Sequence, residues 1–218
     1  MKNKIVWPDG KKFAFTIFDD TDLSRPGNYE VVYDFLRDLG FKTTKSVWPL
    51  HHTTPGYIEG TTIEEKGAYL DYHKSLQTSG FEIGYHCSSF SSHHTQDIAR
   101  GLDLFKKEFG HDPVSMSNHA DSKEAIYWGS QRLSGPNRWL YNLATRFRQT
   151  NSAFGENQNS PYFWGDICQS RIKYVRNFIT GDINTLKQYP LMPYHDPSKA
   201  YVPYWYSSSE GPEINSFN

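Results

Sequence analysis

The sequence predicts an α/β fold, and two observations carry that prediction. Over residues 12–118, short β-prone runs alternate with longer segments of helical spacing, the pattern of parallel βαβ units. Three of those runs also end in an acid or a histidine: Phe15-Thr16-Ile17-Phe18-Asp19-Asp20, Phe81-Glu82-Ile83-Gly84-Tyr85-His86 and Met116-Ser117-Asn118-His119. In α/β architectures the C-terminal lip of the sheet is where chemistry collects.

The elements follow in order. Lys12 to Asp19 reads as the first strand, and Tyr29 to Leu39 as a helix stopped by Gly40. Phe41 to Leu50 is a strand carrying β-branched Thr43, Thr44 and Val47. Ile63 to Leu76 is a helix that Thr61 or Thr62 can cap, with Gly80 beyond its end. Phe81 to His86 is a short strand. Thr95 to Phe109 is an amphipathic helix with Ile98, Leu102, Phe105 and Phe109 at helical spacing and Gly110 as its stop. Pro113 to Asn118 is the fourth strand. Beyond His119 the pattern loosens: Trp139 to Arg148 predicts a helix, Asn151 to Ser160 a polar loop, and Arg171 to Ile179 and Ala200 to Tyr206 strands. No composition shift divides residues 1–218, so a single domain is expected.

Composition narrows the function classes. The formal net charge of -1 leaves no basic footprint for nucleic acid and no polybasic membrane patch. Cys87 and Cys168 make no disulfide framework, and no apolar run approaches a bilayer span. The N-terminal residues lack the apolar core of a signal peptide, so a cytoplasmic protein is expected. Aromatic residues are 16% of the chain, a composition that suits sugar-stacking clefts as well as ordinary cores.

Asp20, His86 and His119 all fall at strand ends of one predicted parallel sheet. Two imidazoles and a carboxylate suit a divalent metal with open positions for water and substrate. His93 and His94 are rivals for the third place, because a loop can fold back; His51 and His52, at the end of the second strand, are weaker rivals. His73 reads as helix surface and His111 as a turn residue. Of the two adjacent acids, Asp19 and Asp20, one can bind the metal while the other works as a base.

Phe18-Asp19-Asp20, preceded by Thr16-Ile17, resembles the Thr-Phe-Asp-Asp motif of the NodB-type polysaccharide deacetylases. Gly80-Phe81-Glu82-Ile83-Gly84-Tyr85-His86 resembles that family's Gly-His-Glu-Ile-Gly-Asn-His segment, and the resemblance spans about residues 10–120. It implies a distorted (β/α) barrel, expected to be incomplete within these residues. It also implies a divalent metal, usually zinc, and removal of acetyl groups from N- or O-acetylated saccharides. Asp19 maps onto the catalytic base, Asp20 onto a metal ligand and His86 onto the first histidine ligand. The family's second histidine, four residues on, is Phe90 here, and its Arg-Pro-Pro segment is replaced by Ser115 to Ala120. His119 is then the expected third ligand.

The expected partner is an acetylated saccharide, such as a surface-polysaccharide precursor, with Tyr194-His195 and Tyr201 to Tyr206 forming part of the sugar wall. His195 is the candidate to protonate the leaving group, with a turn histidine beside prolines as the alternative. Two other functions fit the same residues: hydrolysis of another non-peptide C–N bond, or glycan binding without turnover.

Overall fold

The computed structural model describes residues 7–12, 15–54, 60–120, 122–145, 153–179, 194–202 and 204–208. Its elements are α1 (Glu30–Asp38), β1 (Thr44–Val47), α2 (Gly67–Thr78), β2 (Glu82–Tyr85), α3 (Thr95–Phe109) and β3 (Ser115–Ser117). These are followed by α4 (Gly135–Ala144), α5 (Gly165–Arg171), β4 (Tyr174–Ile179), β5 (Tyr194–His195) and β6 (Tyr204–Ser208). One sheet takes the order β1-β2-β3-β4-β6-β5, with every neighbouring pair parallel except β5 with β6. The fold is therefore mixed α/β with a mostly parallel sheet.

Strands β1 to β4 lie side by side in chain order. If every crossover has the usual right hand, such an order puts the helices on one face, whereas a doubly wound sheet reverses at a switch point. Among the described residues the sheet runs open from β1 to β5. Ahead of β1, the predicted first strand contributes a single parallel bridge, Phe18 with Thr44; residues 13 and 14 lie outside the described residues.

Local chemistry explains the element boundaries. Helix α3 buries Ile98, Leu102, Phe105 and Phe109 and stops where Gly110 turns left-handed at φ 83°. The predicted helix over Ile63 to Leu76 is divided. Thr62 donates its backbone N–H to Glu65 Oε1 at 3.0 Å over a 3-10 turn at Ile63–Glu65, and α2 starts afresh after Lys66 at φ 59°. Pro136 in the first turn of α4 accounts for that helix starting before Trp139; the predicted end at Arg148 lies outside the described residues. Helix α5 occupies the stretch before Tyr174, so the strand expected from Arg171 is shorter. Gly84 has a packing role: a Cβ there would meet Thr44 Cγ2 at 2.9 Å and the Phe18 ring at 3.0 Å.

The core is one cluster under the sheet. Tyr33, Leu70, Leu76, Ile83, Ile98, Leu102, Phe105, Met116, Val175 and Trp205 all belong to it. Strand β1 is buried at every position although it reads Thr-Lys-Ser-Val. Trp205, expected on a sugar wall, is 0% exposed: its ring packs on Tyr127 at 5.8 Å and Lys199 Nζ lies over it at 5.7 Å, on a strand flanked by β4 and β5.

His73 is not on the surface. It is fully buried on α2, with Tyr69 and Tyr29 ring centroids at 4.2 and 5.2 Å, and its Nδ1–H donates to Tyr69 O at 2.7 Å. Burial, with the Lys45 charge nearby, pushes its pKa down to about 3. The folded state then binds fewer protons than the unfolded one. This stability is complete above about pH 6.5 and is lost as pH falls through the window below it. Between pH 7 and pH 5 this one group should cost ~2 kcal/mol. Urea unfolding at both pH values, in wild type and His73→Phe, should show the slope reduced by about that amount in the variant.

Candidate metal centre

The segment after Phe18 is tied to β1 before it leaves the sheet. Asp19 N–H donates to Thr44 O at 3.0 Å, Thr44 N–H to Ile17 O at 2.9 Å, and Ser46 Oγ to Asp19 O at 2.6 Å. A turn then closes through Ser24 N–H to Thr21 O at 3.0 Å, and Thr61 N–H holds it from outside on Ser24 O at 2.8 Å. In an extended chain, alternate side chains share a side. Asp19 and Thr21 both reach Lys45 Nζ, the second at 3.4 Å, while Asp20 and Asp22 face the ends of β2 and β3.

His86 follows β2 directly and His119 stands two residues past β3; they are 2% and 8% exposed. Asp22 Oδ1 lies 3.7 Å from His86 Nε2, and Asp22 Oδ2 lies 3.7 Å from His119 Nε2. One ligand atom from each of Asp22, His86 and His119 lies within 4.8 Å of the others. Asp20 Oδ1 stands 3.2 Å from His86 Nε2. Trp48 stacks on His86 at 5.9 Å and meets His119 edge-on at 5.8 Å, forming a buried back wall. Phe90 packs its ring 5.3 Å from His119.

Two features set this corner apart from ordinary packing. His86 Nδ1 and Nε2, His119 Nδ1 and Asp22 Oδ1 are buried with no hydrogen-bond partner among the described residues. Buried polar atoms are normally satisfied, so a cluster of exceptions calls for an explanation. Left-handed backbone at non-glycine residues also gathers here: Leu23 (φ 61°) follows Asp22, Cys87 (φ 55°) follows His86, and Tyr127 (φ 48°) precedes Trp128. Such conformations cost on the order of 1–3 kcal/mol each and cluster at functional sites.

The electrostatics separate the acids. Burial works against the Asp20 charge, but the His86 ring, the Asp22 N–H and the Arg176 guanidinium together outweigh it and hold this carboxyl well below its usual range. Burial is the leading influence on both Asp19 and Lys45. It pushes the Asp19 carboxyl up and the Lys45 ammonium down, against their mutual attraction. Glu124, buried behind the loop that follows His119, is pushed up to about 7 by burial.

Asp20, Asp22, His86 and His119 open into a cavity of about 350 Å³, completed by Asn118, Ala120, Trp128, Arg132, Tyr141 and Arg176. Of the residues singled out in the sequence, Asp20, His86 and His119 are thus brought together. Asp22 was missed there, although period-2 alternation from Asp20 marks it. Asp19 does not line this cavity and is engaged by Lys45. His195 does not line it either: it lies on β5, the far edge of the sheet, tilted against Tyr204 at 5.0 Å. The rival histidines are used elsewhere. His93 Nε2 pairs with Ser89 Oγ at 2.7 Å, His94 packs on Tyr162 at 4.8 Å, His52 Nε2 donates to Gly60 O at 3.0 Å, and His51 is exposed.

The donor set fits a divalent ion. Ligand atoms at about 2.0–2.2 Å from a metal stand about 3–3.5 Å apart, near the 3.7 Å between Asp22 and the Nε2 of each histidine, and an ion held there would satisfy the unpartnered His86 Nε2 and Asp22 Oδ1. Fold and site therefore define a mostly parallel α/β protein whose Asp22, His86 and His119 could hold a metal ion. Comparison with protein-family models, with curated proteins and with solved structures finds no significant match. Among the described residues no helix is long and apolar enough to cross a membrane.

Proposed function

We propose that this chain is a divalent-metal-dependent hydrolase, with zinc as the ion, that removes acetyl groups from N- or O-acetylated saccharides on a distorted (β/α) barrel. The observation that carries the reading is the convergence of Asp22, His86 and His119 at the C-terminal ends of parallel strands, with Asp22 Oδ1 and His86 Nε2 buried and unpartnered among the described residues. Asp22, His86 and His119 would hold the ion, and a divalent ion supplies Lewis acidity and lowers the pKa of water. Asp20 is the remaining carboxylate of the cavity; its side chain is 58% exposed, so solvent and substrate reach it. It accepts the proton of the attacking water and, since His195 stands elsewhere, returns it to the leaving group. Trp128, Arg132 and Tyr141 line the same cavity and form the wall against which the acetylated sugar would lie.

Purified protein should contain stoichiometric metal and release acetate from N- or O-acetylated oligosaccharides. Asp20→Asn should keep the metal and lose roughly 100-fold in turnover, the scale of a general base. Ammonia release without acetate would instead indicate hydrolysis of a different C–N bond. Bound metal with no product from any acetylated sugar would favour glycan binding alone.

A further inference from the structure

Resting on that reading, we propose that residues 153–164 form a second saccharide subsite, which holds one unit of an acetylated oligosaccharide while another unit enters the metal cavity. Phe154, Asn157, Asn159, Ser160, Pro161 and Tyr162 line an open groove of about 310 Å³. Three successive turns set its shape in advance: Asn157 N–H donates to Phe154 O at 2.9 Å, Ser160 N–H to Asn157 O at 2.9 Å and Phe163 N–H to Ser160 O at 3.1 Å. Asn159 N–H on Asn157 Oδ1 and Tyr162 N–H on Ser160 Oγ, both at 3.1 Å, lock the turns further. Little freedom therefore remains to be lost when a ligand binds. The Phe154 and Tyr162 rings are nearly parallel, 25° apart with centroids at 6.4 Å, and Lys123 Nζ and the His94 ring brace Tyr162 at 5.5 and 4.8 Å. Flat rings beside fixed amides match a pyranose, which has apolar C–H faces and a polar rim. The Asn159 side-chain amide and Asn157 Nδ2 donate to no group among the described residues, so both can serve hydroxyl or acetyl oxygens. None of the six lining residues is charged, which suits a neutral sugar.

The groove is tied to the loop that leaves the metal centre. Phe154 N–H donates to Lys123 O at 2.8 Å and Gly155 N–H to Ala125 O at 3.2 Å. A Cβ on Gly155 would collide with Glu124 O, so only glycine lets the two segments lie this close. Lys123 follows His119 by four residues, a chain length of at most about 14 Å. One oligosaccharide can therefore reach both sites.

The test is isothermal titration of the purified protein with N-acetylglucosamine, its β-1,4-linked tetramer, O-acetylated xylose and O-acetylated xylotetraose, with metal content and acetate release measured on the same sample. In at least one series the tetramer should bind roughly tenfold or more tighter than the monomer, because a ligand that fills one site is held at high local concentration over the other. Phe154→Ala should lower the tetramer's affinity roughly tenfold toward the monomer's, the scale of losing an aromatic anchor, at unchanged metal content. Phe154→Tyr, which keeps the flat ring, should hold the wild-type affinity. Asn159→Ala, at an exposed side chain, should lower it a few-fold. Equal affinities for monomer and tetramer in both series, no binding in either, or a tetramer affinity that survives either alanine variant unchanged would overturn the subsite. A tetramer preference that both variants weaken, without metal or acetate release, would sink the hydrolase reading and leave the subsite standing; metal and acetate release without the preference would do the reverse.

Discussion

Replacing His86 by alanine is expected to abolish metal binding by the purified protein. Loss of a group that merely supports a ligand costs 10- to 100-fold in metal affinity, so loss of a ligand should exceed roughly 100-fold. His119→Ala should behave alike, because its Nε2 shares Asp22 with His86 at the same 3.7 Å. His93→Ala should keep full metal, since that ring is occupied with Ser89. The two acids give the finer test. Asp22 touches both histidines and Asp20 only one, so Asp22→Asn should lower affinity more than Asp20→Asn. Atomic emission on dialysed samples, with competition against a chelator, measures all five variants. A metal content that follows His93, or Asp20 in preference to Asp22, would undo the ligand set.

Much of the framework was legible because it rests on local signals. The alternation of strands and helices, the stop at Gly110 and the strand-end positions of His86 and His119 all follow from periodicity and from what glycine permits. What escaped depends on contacts between distant residues. Nothing local marks Lys45 for its fully buried strand, because what holds its Nζ there is Asp19, Thr21 and Ser24, more than twenty residues earlier in the chain. His73 reads as exposed until Tyr29, from α1's entry, closes over it. His195 was the candidate to protonate the leaving group, with a turn histidine beside prolines as the alternative; pairing with Tyr204 places it on β5 at the sheet edge. Asp22 was hidden differently. The adjacent pair Asp19-Asp20 drew the resemblance, whereas the chain's own pleat divides that pair and matches Asp20 with Asp22.

Breaking the Asp19–Lys45 pair should destabilise the fold strongly and unequally. Lys45 is 0% exposed and Asp19 27%, so the two partners are not left in the same situation when the other is removed. Asp19→Asn strands an ammonium with the Ser24 and Thr21 hydroxyls at 3.0 and 3.4 Å and the faces of Tyr29 and Tyr33 at 5.2 and 5.9 Å. That change should cost about 3–5 kcal/mol, the scale of an uncompensated buried charge. Lys45→Met leaves a carboxylate that water can reach and puts an apolar chain in an apolar slot; it should cost less, about 1–3 kcal/mol. With both replaced, neither charge remains, so the double variant should lie near Lys45→Met, and the cycle of urea-unfolding free energies should show a coupling above about 1 kcal/mol. Additive losses would mean that the contact contributes nothing. The same four proteins separate structure from chemistry at Asp19. If this carboxylate only fixes the turn that presents Asp20 and Asp22, adding Asp19→Asn to Lys45→Met should change acetate release by no more than a few-fold. A further loss of roughly 100-fold in that background would restore Asp19 as the proton acceptor, the role its resemblance to deacetylases implies.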